Sequence, residues 1–247
     1  MWEDIILFVA VGFAAQLIDG ALGMAYGVSA TTVMLGFGVP PATASASVHA
    51  AEVFTTGLSG YSHWRFGNVD LKLLRRLAIP GMIGGAVGAY LLSNLPGDIV
   101  RPLVSAYLLL MGLLILWKAF RKAPTRTEAP KWVGHLGLFG GFLDAIGGGG
   151  WGPMVTSSLL GHGMAPRYAI GSVNLAEFFV TSTITSTFIF TIGLDLWPII
   201  VGLVIGGGMA APFAAYVTSR VPDKPLMILV GVLISLLSVR GLVQAFT

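Results

Sequence analysis

Long apolar stretches alternate with short polar segments along the whole chain. Six of them are long, and most of these six come close to the ~20 residues that an α-helix needs to cross a bilayer. They are Thr43 to Tyr61, Leu77 to Asn94, Pro102 to Trp117, Tyr168 to Thr191, Leu196 to Thr218 and Leu226 to Val239. Two shorter apolar segments precede each group of three. They are Ile5 to Ile18 and Val28 to Val39, then Val133 to Ile146 and Trp151 to Leu160. The pattern predicts an all-α polytopic membrane protein of two tandem repeats, each a pair of short or broken helices followed by three full transmembrane helices.

The composition agrees with membrane burial and excludes several functions. Hydrophobic residues make up 55% of the chain and charged residues 10%, with a mean hydropathy of +0.84. Soluble domains carry roughly 25% charged residues. The net charge of +3 is not organised into a basic patch with aromatics, so no nucleic-acid partner is predicted. Cysteine is absent, which excludes disulfides and thiolate metal sites.

The two halves of the chain match each other when one is shifted by 125 residues. Residues Asp19 to Thr56 align without a gap on Asp144 to Thr181, and fifteen positions are identical. The identical positions include Asp19/Asp144 and Glu52/Glu177, which a shared apolar composition would not place in register. We therefore predict an internal duplication.

The distribution of basic residues indicates how the copies are oriented. If each copy contains five membrane segments, the second is inverted, and twelve of the fourteen Lys and Arg residues lie on one face. The positive-inside rule then places Arg65 to Arg76 in the cytoplasm and both termini outside. We expect a first repeat over 1–122, a cytoplasmic linker over 123–132 and a second repeat over 133–247, in the cell (inner or plasma) membrane. The oligomeric state is left open.

Glycines interrupt the second pair of short segments. Residues Gly147 to Gly150 are followed by Trp151, Gly152 and Pro153, and a milder version runs from Gly20 to Gly27. Glycine and proline disfavour a helix interior. Non-helical backbone at membrane depth is tolerated only inside protein or beside a wet cavity. Paired breaks at matching places of inverted repeats commonly hold the substrate of a transporter, and helix N-termini favour an anion.

Four acidic residues lie within apolar segments as two repeat pairs. Ionisable side chains at such depth usually mark a substrate or ion path. Asp19 and Asp144 stand beside the breaks, where we expect them to accept backbone N–H bonds as caps. Glu52 and Glu177 lie mid-span, and burial favours the neutral form of a carboxyl group. We predict that these two carry protons.

The remaining candidate residues lie at the breaks or on the helix faces beside the buried acids. The predicted substrate-binding residues are Gly23, Met24, Tyr26, Thr31, His49, Gly148, Gly149, Gly150, Trp151, Thr156 and Asn174. Thr31, Thr156 and Asn174 are the expected side-chain donors. His49 is equally well explained as a hydrogen-bonded core residue. A single histidine with scattered carboxylates does not make a metal site, so no metal or cofactor is predicted.

The sequence resembles the TauE/SafE family of membrane transporters, the sulfite exporter group also called TSUP. AAQLIDGALGMAYG, GGFLDAIGGGGWGPMVTSSLL and GHGMAPRYAIGSVNLAEFF carry the resemblance, together with the tandem arrangement. The family's Pro-containing segment fits Gly147 to Pro153, whereas Val28 replaces the proline in the first copy. The resemblance implies transport of a small sulfur-containing anion, with sulfite export the activity most often attached and organosulfonates among the alternatives.

Two other functions stay open at this point. A glycine-lined break is compatible with an anion channel of the same architecture. An intramembrane hydrolase would use Ser29 and His49 as nucleophile and base. The aligned place in the second copy holds Met154 instead of a serine. The paired acids favour a transporter over an enzyme.

Overall fold

A computed structural model describes residues 2–22, 24–120, 129–193, 197–220 and 223–246, and these residues form ten α-helices. The helices are α1 (Trp2–Leu22), α2 (Tyr26–Gly36), α3 (Pro41–Arg65), α4 (Leu71–Asn94), α5 (Gly97–Lys118), α6 (Val133–Gly147), α7 (Ser157–His162), α8 (Pro166–Ile192), α9 (Trp197–Arg220) and α10 (Asp223–Phe246). A π-helical turn, Gly152–Thr156, leads into α7. Within the described ranges, four helices, α4, α5, α8 and α10, contain stretches that are long and apolar enough to cross a bilayer. The prediction of an all-α membrane protein is confirmed.

Several helices extend beyond the apolar segments that predicted them: α4 begins at Leu71 instead of Leu77, and α10 ends at Phe246 instead of Val239. The ends also differ around the breaks. The helix predicted to end at Ile18 continues through Asp19 and Gly20 to Leu22. The second short helix begins at Tyr26 and ends at Gly36, two or three residues earlier than predicted at each end. Most of the predicted linker lies outside the described residues.

The third helical segment of each copy begins in the same way. Both α3 and α8 start with a proline, Pro41 and Pro166, at the helix position where the missing N–H costs nothing. Asp70 then starts α4, because its Oδ1 accepts the backbone N–H groups of Lys72 and Leu73 at 2.8 and 3.1 Å. The two halves of the chain thus share the proline start of this helix as well as the apolar pattern.

Each main helix pair joins one helix of the first copy to one helix of the second copy. The first helix of each copy packs along the fourth helix of the other copy, so α1 lies on α9 and α6 lies on α4. The third and fifth helices pack on their own counterparts, α3 on α8 and α5 on α10. This reciprocal pattern is what a pseudo-two-fold relation between the copies produces.

Counterpart helices run in opposite directions. On the α3–α8 contact, Gly57 lies against Phe178 and Gly60 against Leu175, so the numbering rises on one helix as it falls on the other. Inverted copies require this antiparallel packing.

Glycines allow α6 to approach α4 closely, and α1 to approach α9. A Cβ on Gly137 of α6 would lie 2.6 Å from the carbonyl oxygen of Leu77 on α4. Its repeat counterpart, Gly12 of α1, meets the backbone of Leu203 on α9 as closely. Small residues at such crossings let backbones pack without the driving force that water supplies to soluble proteins.

One end of the bundle carries most of the described basic residues. There Arg76 donates to the backbone carbonyl of Lys131 at 2.9 Å, and Arg167 donates to the side chain of Asn68 in the α3–α4 loop. Arg101 lies near the opposite end, in the first turns of α5. We call the end with the α3–α4 loop the inner end and the opposite end the outer end. The placement of the inner end in the cytoplasm stays a prediction.

Candidate functional site

The second break is a stretch of left-handed backbone between α6 and the π-helical turn. Gly148, Gly149 and Gly150 have φ values of 66°, 136° and 136°, which side-chain-bearing residues rarely adopt. The N–H groups of Gly148 and Gly149 both donate to the carbonyl oxygen of Asp144. We predicted from the sequence that these two N–H groups bind an anion. In the structure both donate to a backbone carbonyl of the protein itself.

The first break follows α1 and has one described residue in the left-handed region. Ala25 has a φ of 99°, the single positive φ among the described non-glycine residues. It is the repeat counterpart of Gly150. Gly23, another predicted site residue, lies outside the described residues.

In each break, the side chain of the preceding aspartate accepts a hydrogen bond from a backbone N–H beyond the break. Asp144 Oδ1 accepts the Trp151 N–H at 2.8 Å, and Asp19 Oδ1 accepts the Tyr26 N–H at 3.2 Å. Both bonds join a residue at the end of the first helix of its pair to the N-terminus of the next helical segment. The two carboxylates thereby tie the end of one helix to the start of the next.

Residues of the first copy hold the second break from the other side. Thr31 Oγ1 donates to the carbonyl oxygen of Gly148. Ser45 Oγ donates to the carbonyl oxygen of Ala145 at 2.6 Å, and His49 Nε2 lies 3.2 Å from Asp144 Oδ2.

Thr31 and His49, both predicted to bind substrate, are fully buried and contact protein instead of facing a cavity. The second ring nitrogen of His49, Nδ1, lies 2.7 Å from the Ser45 carbonyl oxygen. This arrangement matches the alternative of a hydrogen-bonded core histidine.

The two breaks meet face to face. A Cβ on Gly27 would lie 2.7 Å from Gly149 Cα, whereas a Cβ on Gly152 would lie 3.1 Å from Met24 Cβ. These contacts are repeat counterparts of each other, because Gly27 matches Gly152 and Met24 matches Gly149.

A cavity of about 240 Å³ lies beside this meeting point, on the side toward the inner end. Its volume is several times the ~30 Å³ of a water molecule, which suits a small hydrated solute. The predicted residues that line it are Asp19, Met24, Tyr26, Glu52, Gly150, Thr156, Asn174 and Glu177. Four other predicted residues do not line the cavity; they are Gly148, Gly149, Trp151 and Asp144.

Carboxyl groups dominate the electrostatics of the cavity. Asp19, Glu52 and Glu177 line it, and among the described lining residues there is no lysine or arginine. If Glu52, Glu177 and Asp19 were all ionised, their carboxylates would repel one another across the cavity that they line. Glu52 Oε2 is buried and has no hydrogen-bond partner among the described residues. Ionised, these groups would repel an anion; protonated, they would offer O–H donors.

Several residues that line the cavity were not predicted from the sequence. Gln16, Thr55, Ser59 and His63 line the cavity, and Gln16 Oε1 is buried without a partner among the described residues. Gln16 was detectable, because it is the single amide in the apolar run of α1 and lies one helical turn before Asp19. Thr55, Ser59 and His63 were detectable as the continuation of the Glu52 side of α3 at spacings of three and four residues.

The described part of the chain thus forms a multi-span membrane protein with a polar cavity between two helix breaks, the general design of a solute transporter. The chain matches the family described as sulfite exporter TauE/SafE over residues 8–241 and belongs to that family of membrane transporters.

Relatives agree with this assignment. The chain is 43% identical to the probable membrane transporter protein YtnM of Bacillus subtilis (strain 168), over 98% of this chain and 84% of that protein. It is 26% identical to the probable membrane transporter protein YdhB of the same organism, over 90% of this chain and 82% of that protein. It is 27% identical to the probable membrane transporter protein ORF9 of Sinorhizobium sp, over 93% and 90% respectively. No solved structure shows a significant match.

Proposed function

We propose that this protein moves a small sulfur-containing oxyanion, with sulfite as the first candidate, across the cell membrane by alternating access, and that protons accompany the anion. The two copies are inverted in the membrane, with the inner end in the cytoplasm. The antiparallel packing of counterpart helices and the basic residues at the inner end support this orientation. The description of the matched family supports the substrate class.

One observation carries the proposal: both members of three repeat pairs line the same cavity. The pairs are Ala25 with Gly150, Gly27 with Gly152, and Glu52 with Glu177. A site built from both copies at their pseudo-two-fold axis keeps the same surroundings when the copies exchange roles. Alternating access around a fixed site needs this property.

The carboxyl groups give the site its requirement for protons. A small oxyanion beside ionised Glu52 and Glu177 would be repelled in surroundings that screen charge poorly. A proton on either carboxyl removes one negative charge and supplies a donor for an anion oxygen. The amide of Gln16 adds N–H donors that do not depend on pH. The anion and the proton are therefore expected to bind cooperatively.

Sulfite flux into proteoliposomes tests this proposal. Purified protein should accelerate the movement of radiolabelled sulfite over protein-free liposomes, and an inwardly directed proton gradient should accelerate uptake further. Glu52→Gln combined with Glu177→Gln should remove the response to the proton gradient. Asp98→Asn, which changes an exposed acid at the start of α5, is the matched control and should behave as wild type.

Two outcomes would contradict the proposal. Sulfite flux equal to that of protein-free liposomes under every gradient would reject the substrate. Rapid flux that ignores the proton gradient and does not saturate with sulfite would indicate a channel.

A further inference from the structure

Outside its central residues, the cavity is not lined by equivalent residues of the two copies. Apart from the three central pairs, twelve residues line it whose repeat counterparts do not. Thr156, Ile170 and Asn174 of the second copy are among them. Their counterparts in the first copy are Thr31, Ser45 and His49. Equivalent positions thus lie in an open path in one copy and inside the protein in the other.

All twelve counterparts are buried. Thr31, Ser45 and His49 have 0% of their surface exposed, as do Val180 and Ile184 of α8. Repeat counterparts of an arbitrary surface patch would include exposed residues. A complete set of buried counterparts is the pattern expected when one half of a two-sided path is closed.

We infer that these buried counterparts form the outer half of the substrate path, which opens in a second conformation where the two copies exchange their arrangements. This inference rests on the proposed function, because it takes the cavity as the transport site. Since the copies share helix order and register, each helix-on-helix packing of one arrangement has a counterpart in the other. Two packings of similar free energy are the basis of a conformational switch.

The contacts around the second break are the closed outer gate in this view. Opening requires Thr31 and Ser45 to leave the carbonyl groups at the break, and His49 to leave Asp144. In the exchanged arrangement Asn174 bonds Asp19 and closes the inner side. In the described structure the Asn174 side chain instead contacts Ser59 and the Ile170 carbonyl.

The outer path runs along the second half of α8. Counterparts of Ser59 and His63, which line the inner side, are Ile184 and Phe188. Ile184 now lies against Gly85 of α4. Opening therefore separates α8 from α4, and the exposed wall is more apolar than the inner one.

The two gates differ in strength. Ser45 bonds the carbonyl of Ala145, whereas its counterpart Ile170 has no hydroxyl to offer in the exchanged arrangement. The outer gate thus has one more side-chain hydrogen bond than the inner gate can form. We expect the inward-open state to predominate at rest, in agreement with the direction in which the cavity opens.

Cysteine labelling tests the inference directly, because the chain has no cysteine of its own. Ile184→Cys reports the outer path and Ser59→Cys the inner path, each with a membrane-impermeant maleimide applied from one side of oriented vesicles. Val180→Cys is a second outer reporter of smaller structural cost. Thr31→Val weakens the outer gate by one hydrogen bond and should raise outer labelling about 5- to 10-fold. Asp98→Cys, exposed at the outer end, is the positive control for outside reagent.

The sharpest arm uses Ser59→Cys and Ile184→Cys together in the Thr31→Val background. A maleimide attached at position 59 prevents the inner path from closing, so it should suppress later labelling at position 184. Simultaneous labelling of both positions overturns the inference, because the two halves would then be open together. Outer reporters that stay unreactive while Asp98→Cys reacts overturn it as well.

The outcome is independent of the substrate. Reciprocal labelling without sulfite flux would support the two-gate inference and reject the proposed anion. Proton-dependent sulfite flux without outer labelling would leave the proposed function standing and reject the assignment of the outer path.

Discussion

The two helix breaks occupy equivalent positions but are built differently. In the second break, Gly148, Gly149 and Gly150 all have positive φ, and the surrounding protein fills the space that side chains would need. In the first break, Ala25 takes the place of Gly150 and adopts a φ of 99°. An L-residue in the left-handed region costs roughly 1–2 kcal/mol. The second break is thus adapted to tight contact, while the first break bears strain.

The surroundings of the two breaks also differ, because the second break is closed in by side chains and the first is open to the cavity. Three side chains of the first copy bond the second break, while the counterparts of those side chains line an open cavity beside the first break. One sequence element, used twice, can thus form a closed gate in one copy and an open cavity wall in the other.

Gly149→Ala should give the largest effect. Its φ of 136° is unfavourable for alanine, and a Cβ there would overlap the backbone of Gly27 and Val28. We expect a loss of about 4 kcal/mol in the free energy of unfolding, from backbone strain and overpacking together. A thermal melt followed by fluorescence size exclusion measures it. Gly161→Ala in α7, where the added methyl meets open space, is the control. Equal melting temperatures would show that the close contact between the breaks is not required.

Asp144→Ala should destabilise the protein more than Asp19→Ala. Asp144 is 1% exposed and joins both the Trp151 N–H and His49, whereas Asp19 accepts one longer bond and borders the cavity. Removing one partner of a buried polar pair costs about 3 kcal/mol, compared with about 1 kcal/mol for a single hydrogen bond. Unfolding followed by tryptophan fluorescence should rank the two variants in this order. The reverse order would mean that the first break is the firmer one.

Replacing the paired glutamates should change how anion binding depends on pH. If one proton binds with the anion, affinity rises by up to about tenfold for each unit that the pH falls, because linkage is reciprocal. Glu52→Gln and Glu177→Gln mimic the neutral acid and should flatten this dependence while preserving binding. Sulfite-dependent thermal stabilisation between pH 5 and pH 8 provides the measurement. A double variant with the full wild-type slope would assign the proton to another group.

Ala25→Gly should give the smallest effect, and a favourable one. Glycine at position 25 relieves the left-handed strain but gains freedom in the unfolded chain, so we expect a net gain of about 0.5–1 kcal/mol. Ala30→Gly, in the middle of α2, is the control and should lower stability by about 1 kcal/mol. If Ala25→Gly is also destabilising, the methyl group of Ala25 contributes more by packing than its backbone costs.

Much of the fold was predictable because its signals are local. Apolar stretches of bilayer length, the prolines before α3 and α8, and the glycine runs each act within a few residues of themselves. The exact ends of α1 and α2 were not predictable, because Asp19 and Gly20 favour a break but remain helical in this packing. The polar residues Gln16 and Ser59 were missed because each is a single polar position in a long helix.

The sequence by itself indicated the internal repeat, the pairing of the buried acids and the neighbourhood of each helix break, because these follow from residue identity and spacing. It could not determine which member of a pair faces the cavity. Thr31 and Thr156 have the same side chain at the same repeat position, yet Thr31 bonds the second break and Thr156 lines the cavity. Only the tertiary structure decided this, because identical local chemistry leaves the choice to the packing of one copy against the other.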